Sequence, residues 1–459
     1  MPAFYRTRKL RSQVALLIVG IIICFYFIII ILNSLDWGVE DDLLYNIAED
    51  IPIGTREYPI LLWWTPFTGE SGAFKRCGKE ICFFTEQRKY FTDDLTKAIL
   101  FYGSSFSPTD LPLPRMPYHD WALLHEESPK NNYLFSMEKV MKLFNHTATF
   151  RRESDLPLTL QYLQSLDSLK SKKFFVPTAV KSLKSKELAP VVYVQTDCNT
   201  PSERDSYVEE LAKHIPVDSY GKCLQNKELP PGLTDAASSF NSEAFFFILS
   251  QYKFNLAFEN AVCRDYITEK LWRPLEIGSV PIYYGSPAVE DWLPNPESAI
   301  LAKNFASPKH LAEHLLRLKA DDEAYERHLE HKILNKISNK RLIEGTAYRE
   351  WGVNNDLTKP NFIDSFECLV CKRVAENYRR EQKGQKRKKY QATMEHYGCP
   401  EPVSPFTLEP DSSSWWLELY NKAKFEAAAL EKLLNRGANF SATEFFQEVI
   451  NLLENNASQ

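Results

Sequence analysis

The sequence contains no Asp-x-Asp motif and no His and Asp residues clustered at metal-ligand spacing. It therefore gives no indication of a divalent cation held by carboxylates. An excess of charge of one sign is also lacking: 55 basic and 60 acidic residues leave a net charge of −5, which argues against a protein-wide nucleic-acid-binding surface. No internal repeat is present. The apolar content of 44% is typical of a packed globular protein, and 459 residues are enough for two or three domains.

One long apolar run is present near the N-terminus. Residues 14–32 are 19 consecutive uncharged residues, close to the roughly 20 that cross a bilayer. Basic residues precede the run and acidic residues follow it, which predicts a cytosolic tail at 1–13, a transmembrane signal anchor at 14–32 and a luminal stem at 33–57. A cleaved signal peptide is the alternative, but its apolar region would be shorter and would end in small residues, which 33–36 supply poorly.

Cysteine usage agrees with a luminal position. Of nine cysteines, one lies in the apolar run and eight follow it, and an oxidising lumen permits disulfides. The disulfide candidates are Cys77, Cys82, Cys198, Cys223, Cys368 and Cys371. Cys368 and Cys371 also have the spacing of a redox pair or half a zinc site, but neither a second such pair nor a spaced histidine pair accompanies them. The N-glycosylation candidates, typical of a secretory-pathway protein, are Asn145, Asn439 and Asn456.

Apolar runs of strand length divide the remaining chain. Three of them fall in 58–185, which predicts a first α/β domain. Residues 170–186 are rich in Lys and Ser and predict a linker. The run Val191–Val194 begins a second α/β domain at 186–371, which ends with the Cys-x-x-Cys pair. Residues 372–459 carry a basic run and then helix-period patterns, so they form a C-terminal extension.

The segment from Phe254 to Gly285 organises the second domain. It begins and ends with apolar runs of strand length, and between them Thr268 can cap a helix that stops at Gly278. Strand, loop, helix and strand form the βαβ unit of a parallel sheet, where ligands bind at the carboxyl ends of the strands. The helix N-terminus suits a phosphate, the Lys270 ammonium adds positive charge, and the Glu269 carboxylate can accept from sugar hydroxyls. The residues therefore predict a nucleotide-diphosphate site.

The order Phe-Glu-Asn, Asp-Tyr-Ile-Thr-Glu-Lys and Gly-x-Val-Pro in this segment resembles the signature of the α1,3/4-fucosyltransferases. An ordinary buried βαβ unit with surface charges is the alternative interpretation. The resemblance implies an inverting, metal-independent enzyme of GT-B fold, with two Rossmann-like domains facing a cleft and GDP-fucose as the donor. It also implies a donor pocket lined by Asn260, Tyr266, Glu269 and Lys270. Glu269 would bind the ribose and Lys270 the diphosphate.

This chain departs from the family pattern at a few positions. Ala261 replaces the usual Ser, and Arg273-Pro274 replaces Asn-Ala. Proline either kinks the helix or marks its first turn, so two helix geometries remain open. His146 replaces a Trp in the block Phe-Asn-His-Thr, and a lone His of this kind is more often a packing or hydrogen-bonding residue than a catalyst.

The resemblance also implies a second cationic residue at the diphosphate and a general base. Arg204 matches the family's arginine-bearing segment and would grip the diphosphate, although it could instead be a surface arginine paired with Glu203 or Asp205. Glu127 stands in the family's Glu-Ser-Pro element after an apolar run, which implies that it is the general base, with Glu126 as the nearest rival. Without Asp-x-Asp, arginine and lysine would carry the charge stabilisation alone.

The acceptor has two alternatives. The family transfers fucose in α1,3 linkage to GlcNAc of glycans. A divergent branch, which the long extension resembles, is linked to O-fucosylation of Ser or Thr on folded cysteine-rich (EMI-type) modules in the endoplasmic reticulum. A membrane-anchored luminal protein that binds GDP-fucose or glycans without turnover is a third interpretation. The resemblance further implies that the pair Cys368 and Cys371 is tied to Cys77 and Cys82, and that the protein resides in the Golgi or the endoplasmic reticulum.

Overall fold

Two β-sheets form the framework of the chain in the computed structural model, which describes residues 58–69, 71–233, 242–353 and 359–457. The first sheet has seven strands in the order β2-β3-β1-β4-β5-β6-β7, and the second has five in the order β12-β11-β10-β8-β9. The strands are β1 Ile60–Trp63, β2 Ala73–Cys77, β3 Glu80–Thr85, β4 Thr96–Tyr102, β5 Asp120–His125, β6 His146–Thr149, β7 Leu156–Pro157, β8 Val191–Tyr193, β9 Val217–Ser219, β10 Phe254–Phe258, β11 Val280–Tyr284 and β12 Ile300–Leu301. We call the part built on the first sheet the first lobe and the part built on the second sheet the second lobe.

Helices cover both sheets. They are α1 Glu138–Met141, α2 Leu166–Lys170, α3 Thr178–Lys184, α4 Arg204–Ala212, α5 Glu243–Leu249, α6 Glu269–Ile277, α7 Pro308–Ala320, α8 Asp322–Arg327, α9 Glu330–Ile333, α10 Lys340–Ala347, α11 Phe362–Gln382, α12 Trp415–Leu434 and α13 Ala442–Ala457. Short 3-10 helices lie at Arg88–Thr92, Gly103–Ser105, Tyr133–Ser136, Val289–Asp291, Ala302–Asn304 and Met394–His396.

The central strands are apolar and fully covered, as parallel strands with helices on both faces require. β4, β5, β10 and β11 are buried along almost their whole length. All described pairings are parallel except β2 with β3. The predicted α/β class with Rossmann-like parallel sheets is therefore confirmed.

The predicted βαβ unit of the second lobe is present. The side chain of Thr268 accepts from the backbone N–H of Lys270 and caps α6, which runs unbroken through Pro274. The geometry in which the proline marks the first turn of the helix is therefore wrong, because α6 already begins at Glu269. Gly278 ends the helix at φ +72°, and a Cβ there would lie 2.4 Å from the Phe175 ring, so only glycine fits this turn.

The C-terminal boundary of the second domain differs from the prediction. Residues through 371 were expected to belong to the second lobe, but α11 packs on the first sheet, where Phe366 and Val370 join its core. Two disulfides fasten the helix there, Cys77–Cys368 and Cys82–Cys371. All the described residues belong to one compact unit.

The predicted linker at 170–186 is also not a bare connection. It contains α3, whose Lys181 is 1% exposed and donates from Nζ to the carbonyls of Tyr252 and Gly278 in the second lobe. Lysine-rich composition suggested solvent exposure, whereas this ammonium is buried by backbone acceptors that the sequence does not reveal.

The predicted membrane anchor at 14–32 lies outside the described residues. Within the ranges that the structure describes, no helix has both the length and the apolarity to cross a bilayer. The C-terminal extension past α11, residues 383–457, contains α12 and α13, in agreement with the helix-period patterns there.

Candidate functional site

The N-terminus of α6 is held by a buried carboxylate directly after β10. Glu259 is fully buried, and its carboxylate accepts from the backbone N–H of Thr268 at 2.8 Å and from the Thr268 hydroxyl at 2.7 Å. Gly285 makes room for it, because a Cβ there would lie 2.5 Å from the Glu259 side chain. Burial raises the pKa of Glu259 to about 7, although Lys270 opposes the shift. The motif Phe-Glu-Asn and the closing glycine are therefore one packing arrangement that sets the start of the helix.

Two charged side chains extend from this first turn. The Lys270 ammonium lies 3.2 Å from the Thr268 hydroxyl, 3.2 Å from a Glu269 oxygen and 3.9 Å from a Glu259 oxygen. Burial would raise the pKa of Glu269, but Lys270 and Arg273 outweigh it and lower that pKa to about 2. Glu269 is thus an anion and hydrogen-bond acceptor at neutral pH. Its side chain is 36% exposed, whereas that of Lys270 is 13% exposed.

Arg204 lies behind this turn rather than on the surface. It is fully buried at the start of α4 and donates to the carbonyls of Asp197 and Phe258, at 2.7 and 2.9 Å, and to the side-chain oxygen of Asn260 at 2.6 Å. Neither Glu203 nor Asp205 pairs with it: these carboxylates accept from Ser414 and from the Tyr193 hydroxyl.

The surface ion pair considered from the sequence is therefore wrong for Arg204. Among the described residues no carboxylate lies within ion-pair distance of its guanidinium, and its buried Nε has no hydrogen-bond partner. Its hydrogen-bond acceptors are neutral oxygens, and the Asp205 carboxylate interacts with it electrostatically at longer range.

Glu127 follows β5 in the first lobe, and its carboxylate interacts electrostatically with residues at the start of α6. Burial raises its pKa above the usual 4.5, Lys270 opposes that shift, and Glu269 and Asp197 reinforce it. All three of these charges belong to the second lobe, so the Glu127 carboxylate interacts electrostatically with the other lobe.

Its rival Glu126 has a hydrogen-bond partner within the first lobe. The Tyr102 hydroxyl of the first lobe donates to Glu126 at 3.2 Å, and its second carboxylate oxygen is buried without a partner. Burial raises the pKa of Glu126 to about 7, and the Glu127 charge adds to the shift. Glu126 is therefore engaged by Tyr102, whereas charges of the second lobe act on Glu127.

The loop between β10 and α6, residues 259–268, is clamped to the first lobe. Arg152 donates to Asp265 at 2.8 Å through Nε and to Asp291 at 2.7 Å through Nη1, and Asp265 is fully buried. The next residue, Tyr266, is 3% exposed and its ring meets Phe150 at a centroid distance of 5.2 Å. Tyr266 therefore lies where the two lobes meet.

Two models of known families match the chain. Residues 183–390 match "Glycosyltransferase family 10 (fucosyltransferase) C-term", and residues 55–161 match "Fucosyltransferase, N-terminal". The chain is 51% identical over 400 residues to "GDP-fucose protein O-fucosyltransferase 3" of Gallus gallus, covering 86% of this chain and 84% of that protein. The human protein of that name is 51% identical over 395 residues, with 85% and 82% covered.

The chain belongs to glycosyltransferase family 10, the fucosyltransferases. A solved structure, "Crystal Structure of alpha1,3-Fucosyltransferase with GDP-fucose", aligns over 64% of this chain and 81% of that one, at 18% identity and a TM-score of 0.37. The present chain is a GDP-fucose-dependent fucosyltransferase, as the signature around Lys270 predicted. The interpretation as a binding protein without turnover is therefore wrong.

Other site predictions for this fucosyltransferase have mixed outcomes. Disulfide bonding is confirmed as a feature of the chain, and Cys198 pairs with Cys223. A fourth bond, Cys263–Cys399, was not predicted, because Cys399 lies beyond the recognisable blocks. Within the described ranges, no group of three or more His, Cys, Asp or Glu side chains is arranged to hold a metal ion.

The predicted glycosylation site at Asn145 disagrees with the folded structure. Its side-chain oxygen accepts from Arg115 and from the Trp121 backbone, and its amide nitrogen donates to the Tyr390 carbonyl. An amide held on both ends is a poor place for a glycan, and the sequon alone could not reveal this. Asn439 and Asn456 are exposed.

His146 lies at the start of β6, fully buried between Asp120 and Arg373, each 3.1 Å from one ring nitrogen. It begins a strand whose carboxyl end faces the second lobe, so it is a hydrogen-bonding residue of the first sheet and no part of the gap near Glu127.

Proposed function

We propose that this fucosyltransferase moves L-fucose, with inversion, from GDP-fucose to a Ser or Thr hydroxyl of a folded luminal protein. The observation that carries the proposal is the juxtaposition of Glu127 with the first turn of α6. A carboxylate from one lobe interacts electrostatically with Lys270 and Glu269 at the helix N-terminus of the other. This arrangement supports an inverting transfer, which needs one base opposite the departing diphosphate.

The diphosphate sits at the N-terminus of α6 in this proposal. Lys270 supplies the direct charge, the positive end of the α6 dipole adds to it, and Arg204, which is hydrogen-bonded to Asn260, supplies further positive charge. Glu269 accepts from the ribose hydroxyls. Tyr266 completes the wall toward the first lobe.

The reaction then has a balanced course. Glu127 takes the proton of the acceptor hydroxyl as its oxygen bonds to C1 of fucose. The bond from C1 to the phosphate oxygen breaks on the opposite face, and its electron pair leaves with GDP. Lys270, Arg204 and the helix N-terminus stabilise that charge. The products are the fucosylated acceptor, GDP and a proton on Glu127.

A protein acceptor is favoured over a glycan by the name shared by the relatives at about 51% identity, which specifies protein O-fucosylation. Folded cysteine-rich modules of EMI type are the acceptor class that the resemblance implied. The second candidate, α1,3 transfer to GlcNAc, rests on the wider family and needs the same base.

We also propose the GT-B arrangement, in which the donor binds to the second lobe and the acceptor to the first.

We further propose a single N-terminal membrane anchor that leaves residues 33–459 in the lumen of the endoplasmic reticulum or Golgi. Four disulfides support an oxidising compartment. Protease protection of the full chain in sealed microsomes tests the orientation. Digestion of residues 58–457 without detergent contradicts it.

The acceptor experiment uses the full chain with labelled GDP-fucose in EDTA. Folded cysteine-rich modules, the same modules reduced and alkylated, and free N-glycans are offered in parallel, with Glu127→Gln as the inactive control. We expect label on Ser or Thr of the folded modules only, located by peptide fragmentation. Label confined to N-glycans contradicts the protein acceptor and favours the second candidate.

A further inference from the structure

Tyr397 of the C-terminal extension is fully buried against the loop that carries Glu127. Its hydroxyl donates to the backbone carbonyl of Glu127 at 3.1 Å. Its ring stacks on His125, with centroids 5.2 Å apart and planes 25° apart, and meets Phe150 at 4.9 Å. Among the described residues, the one hydrogen-bond partner of this hydroxyl is the Glu127 carbonyl. Phenylalanine at this position would fill the same space without that hydrogen bond. Burial raises the pKa of Tyr397 well above its usual value, which keeps it a donor at neutral pH.

Two residues further on, the extension is bonded to the other side of the gap. Cys399 forms the disulfide with Cys263, which lies in the 259–268 loop between Asn260 and Tyr266. Both cysteines are buried. Gly398 between them has φ +41°, and a Cβ there would lie 2.1 Å from the Met394 carbonyl, so the turn needs glycine. The hydroxyl and the disulfide are therefore held at a fixed separation by a tight turn.

The segment around Tyr397 is anchored on the first lobe. The Ala392 backbone donates to the Phe144 carbonyl at 2.9 Å, the Arg151 guanidinium donates to the Tyr397 carbonyl at 3.4 Å, and the Thr149 hydroxyl donates to the His396 carbonyl. It follows the carboxyl end of β6, next to the end of β5.

Past Cys399 the extension contacts the second lobe. Phe406 stacks on Tyr207 of α4, with centroids 5.7 Å apart, and Ser414 donates to Glu203 at 2.6 Å. The extension then returns to the first lobe, where Trp416 lies against Tyr133. It therefore crosses the gap between the lobes beside the proposed site.

The family-10 model ends at residue 390, so it includes neither Tyr397 nor Cys399. We propose that Tyr397–Cys399 is a positioning element of the active site, in which the Tyr397 hydroxyl fixes the Glu127 backbone and the Cys399–Cys263 disulfide fixes the 259–268 loop. It rests on the proposed role of Glu127 as the base. The element sets the distance from the base to the donor without touching substrate.

The test compares Tyr397→Phe with Tyr390→Phe in the full chain. Tyr390 belongs to the same extension, and among the described residues its hydroxyl has no hydrogen-bond partner, so it is a matched control. We expect Tyr397→Phe to lower kcat by about 5- to 50-fold, because small misplacement of a base slows proton transfer, while the GDP-fucose Kd stays within about twofold. Tyr390→Phe is expected to match the wild type.

A second pair of changes tests the disulfide. Cys263→Ser with Cys399→Ser should lower kcat and also weaken GDP-fucose binding, because the freed loop carries Asn260 and Tyr266. Each variant's Tm is measured alongside. A fall in kcat for Tyr397→Phe that is matched by an equal loss of donor binding indicates general loosening and overturns the inference.

The outcomes separate this inference from the proposed function. A wild-type chain that transfers fucose while Tyr397→Phe equals it in kcat overturns the positioning role alone. A wild-type chain that transfers no fucose to any acceptor contradicts the proposed function, and the positioning role with it.

Discussion

The two sides of the gap are built in different ways. On the second lobe, Glu259, Lys270 and Gly285 come from one continuous βαβ unit and contact one another locally. On the first lobe, the Glu127 loop is contacted by Tyr397, 270 residues away in the chain. The side that we propose to bind the donor is thus a local motif, and the side that we propose to activate the acceptor is assembled by folding. A fixed donor and a variable acceptor are consistent with this difference.

The largest expected effect is on the first lobe, which carries Glu127. Glu127→Gln should lower kcat by about 10²–10⁴, because a carboxamide cannot take the acceptor proton. The donor Kd should change by less than about twofold. Steady-state kinetics and calorimetry with GDP-fucose measure the two quantities.

Glu126→Gln is the matched control for this change, since it removes the neighbouring carboxylate at equal size. Its carboxylate faces Tyr102 in the first lobe, so kcat should fall much less. A larger loss in Glu126→Gln than in Glu127→Gln would reverse the assignment of the base.

The contact between the two sides is tested by Arg152→Ala. Removing this cation leaves the buried Asp265 with only the longer ion pair to Arg151 at 3.9 Å and the Trp292 hydrogen bond, so the free energy of unfolding should fall by up to about 3–5 kcal/mol. Arg341→Ala is the control, because Arg341 pairs with Asp291 at 3.0 Å from a side chain that is 54% exposed and should contribute less than about 1 kcal/mol. Denaturant titration measures both, and equal losses would show that the lobes are not held together by Arg152.

On the local side, Lys270→Ala should raise the GDP-fucose Kd by about one to two orders of magnitude, as for the loss of a charged contact of about 2–3 kcal/mol. Arg264→Ala removes a cation from the same segment whose side chain is 47% exposed, and it should leave the Kd unchanged. An unchanged Kd in Lys270→Ala would refute the diphosphate site.

The smallest expected effect is on pH dependence. Burial raises the pKa of Glu127 above the usual 4.5, so kcat/KM should fall, as pH is lowered, at a higher pH than for an ordinary glutamate. Asp197 adds to that shift, and Asp197→Asn should therefore move the acidic limb to lower pH. A limb that moves to higher pH would show that Asp197 does not act on the base.

The same contrast explains what the sequence could reveal. In the Phe254–Gly285 unit, periodicity predicted the strands, Thr268 predicted the helix cap and Gly278 predicted the helix end. The structure agrees at each of these points. The interior position of Arg204 could not be predicted, because its acceptors are backbone carbonyls whose positions depend on the fold. The return of α11 to the first sheet was not apparent either, although the Cys368 and Cys371 pair hinted at it.

The Phe-Glu-Asn motif contains Glu259. That Glu259 fixes the start of α6 could not be predicted, because its position depends on the close approach of Gly285 in the fold. The contacts of Tyr397 and Cys399 had no local signal, since a tyrosine and a cysteine in a polar extension have no periodicity. The only indication was that Cys263 and Cys399 were the two cysteines after the apolar run that were not disulfide candidates.

A structure of the full chain with GDP-fucose tests the central claim most directly. The account predicts that the diphosphate lies at the first turn of α6 beside Lys270, and that C1 of fucose faces the Glu127 carboxylate with space for one hydroxyl between them. A diphosphate bound away from α6, or a fucose whose C1 faces away from Glu127, would contradict it.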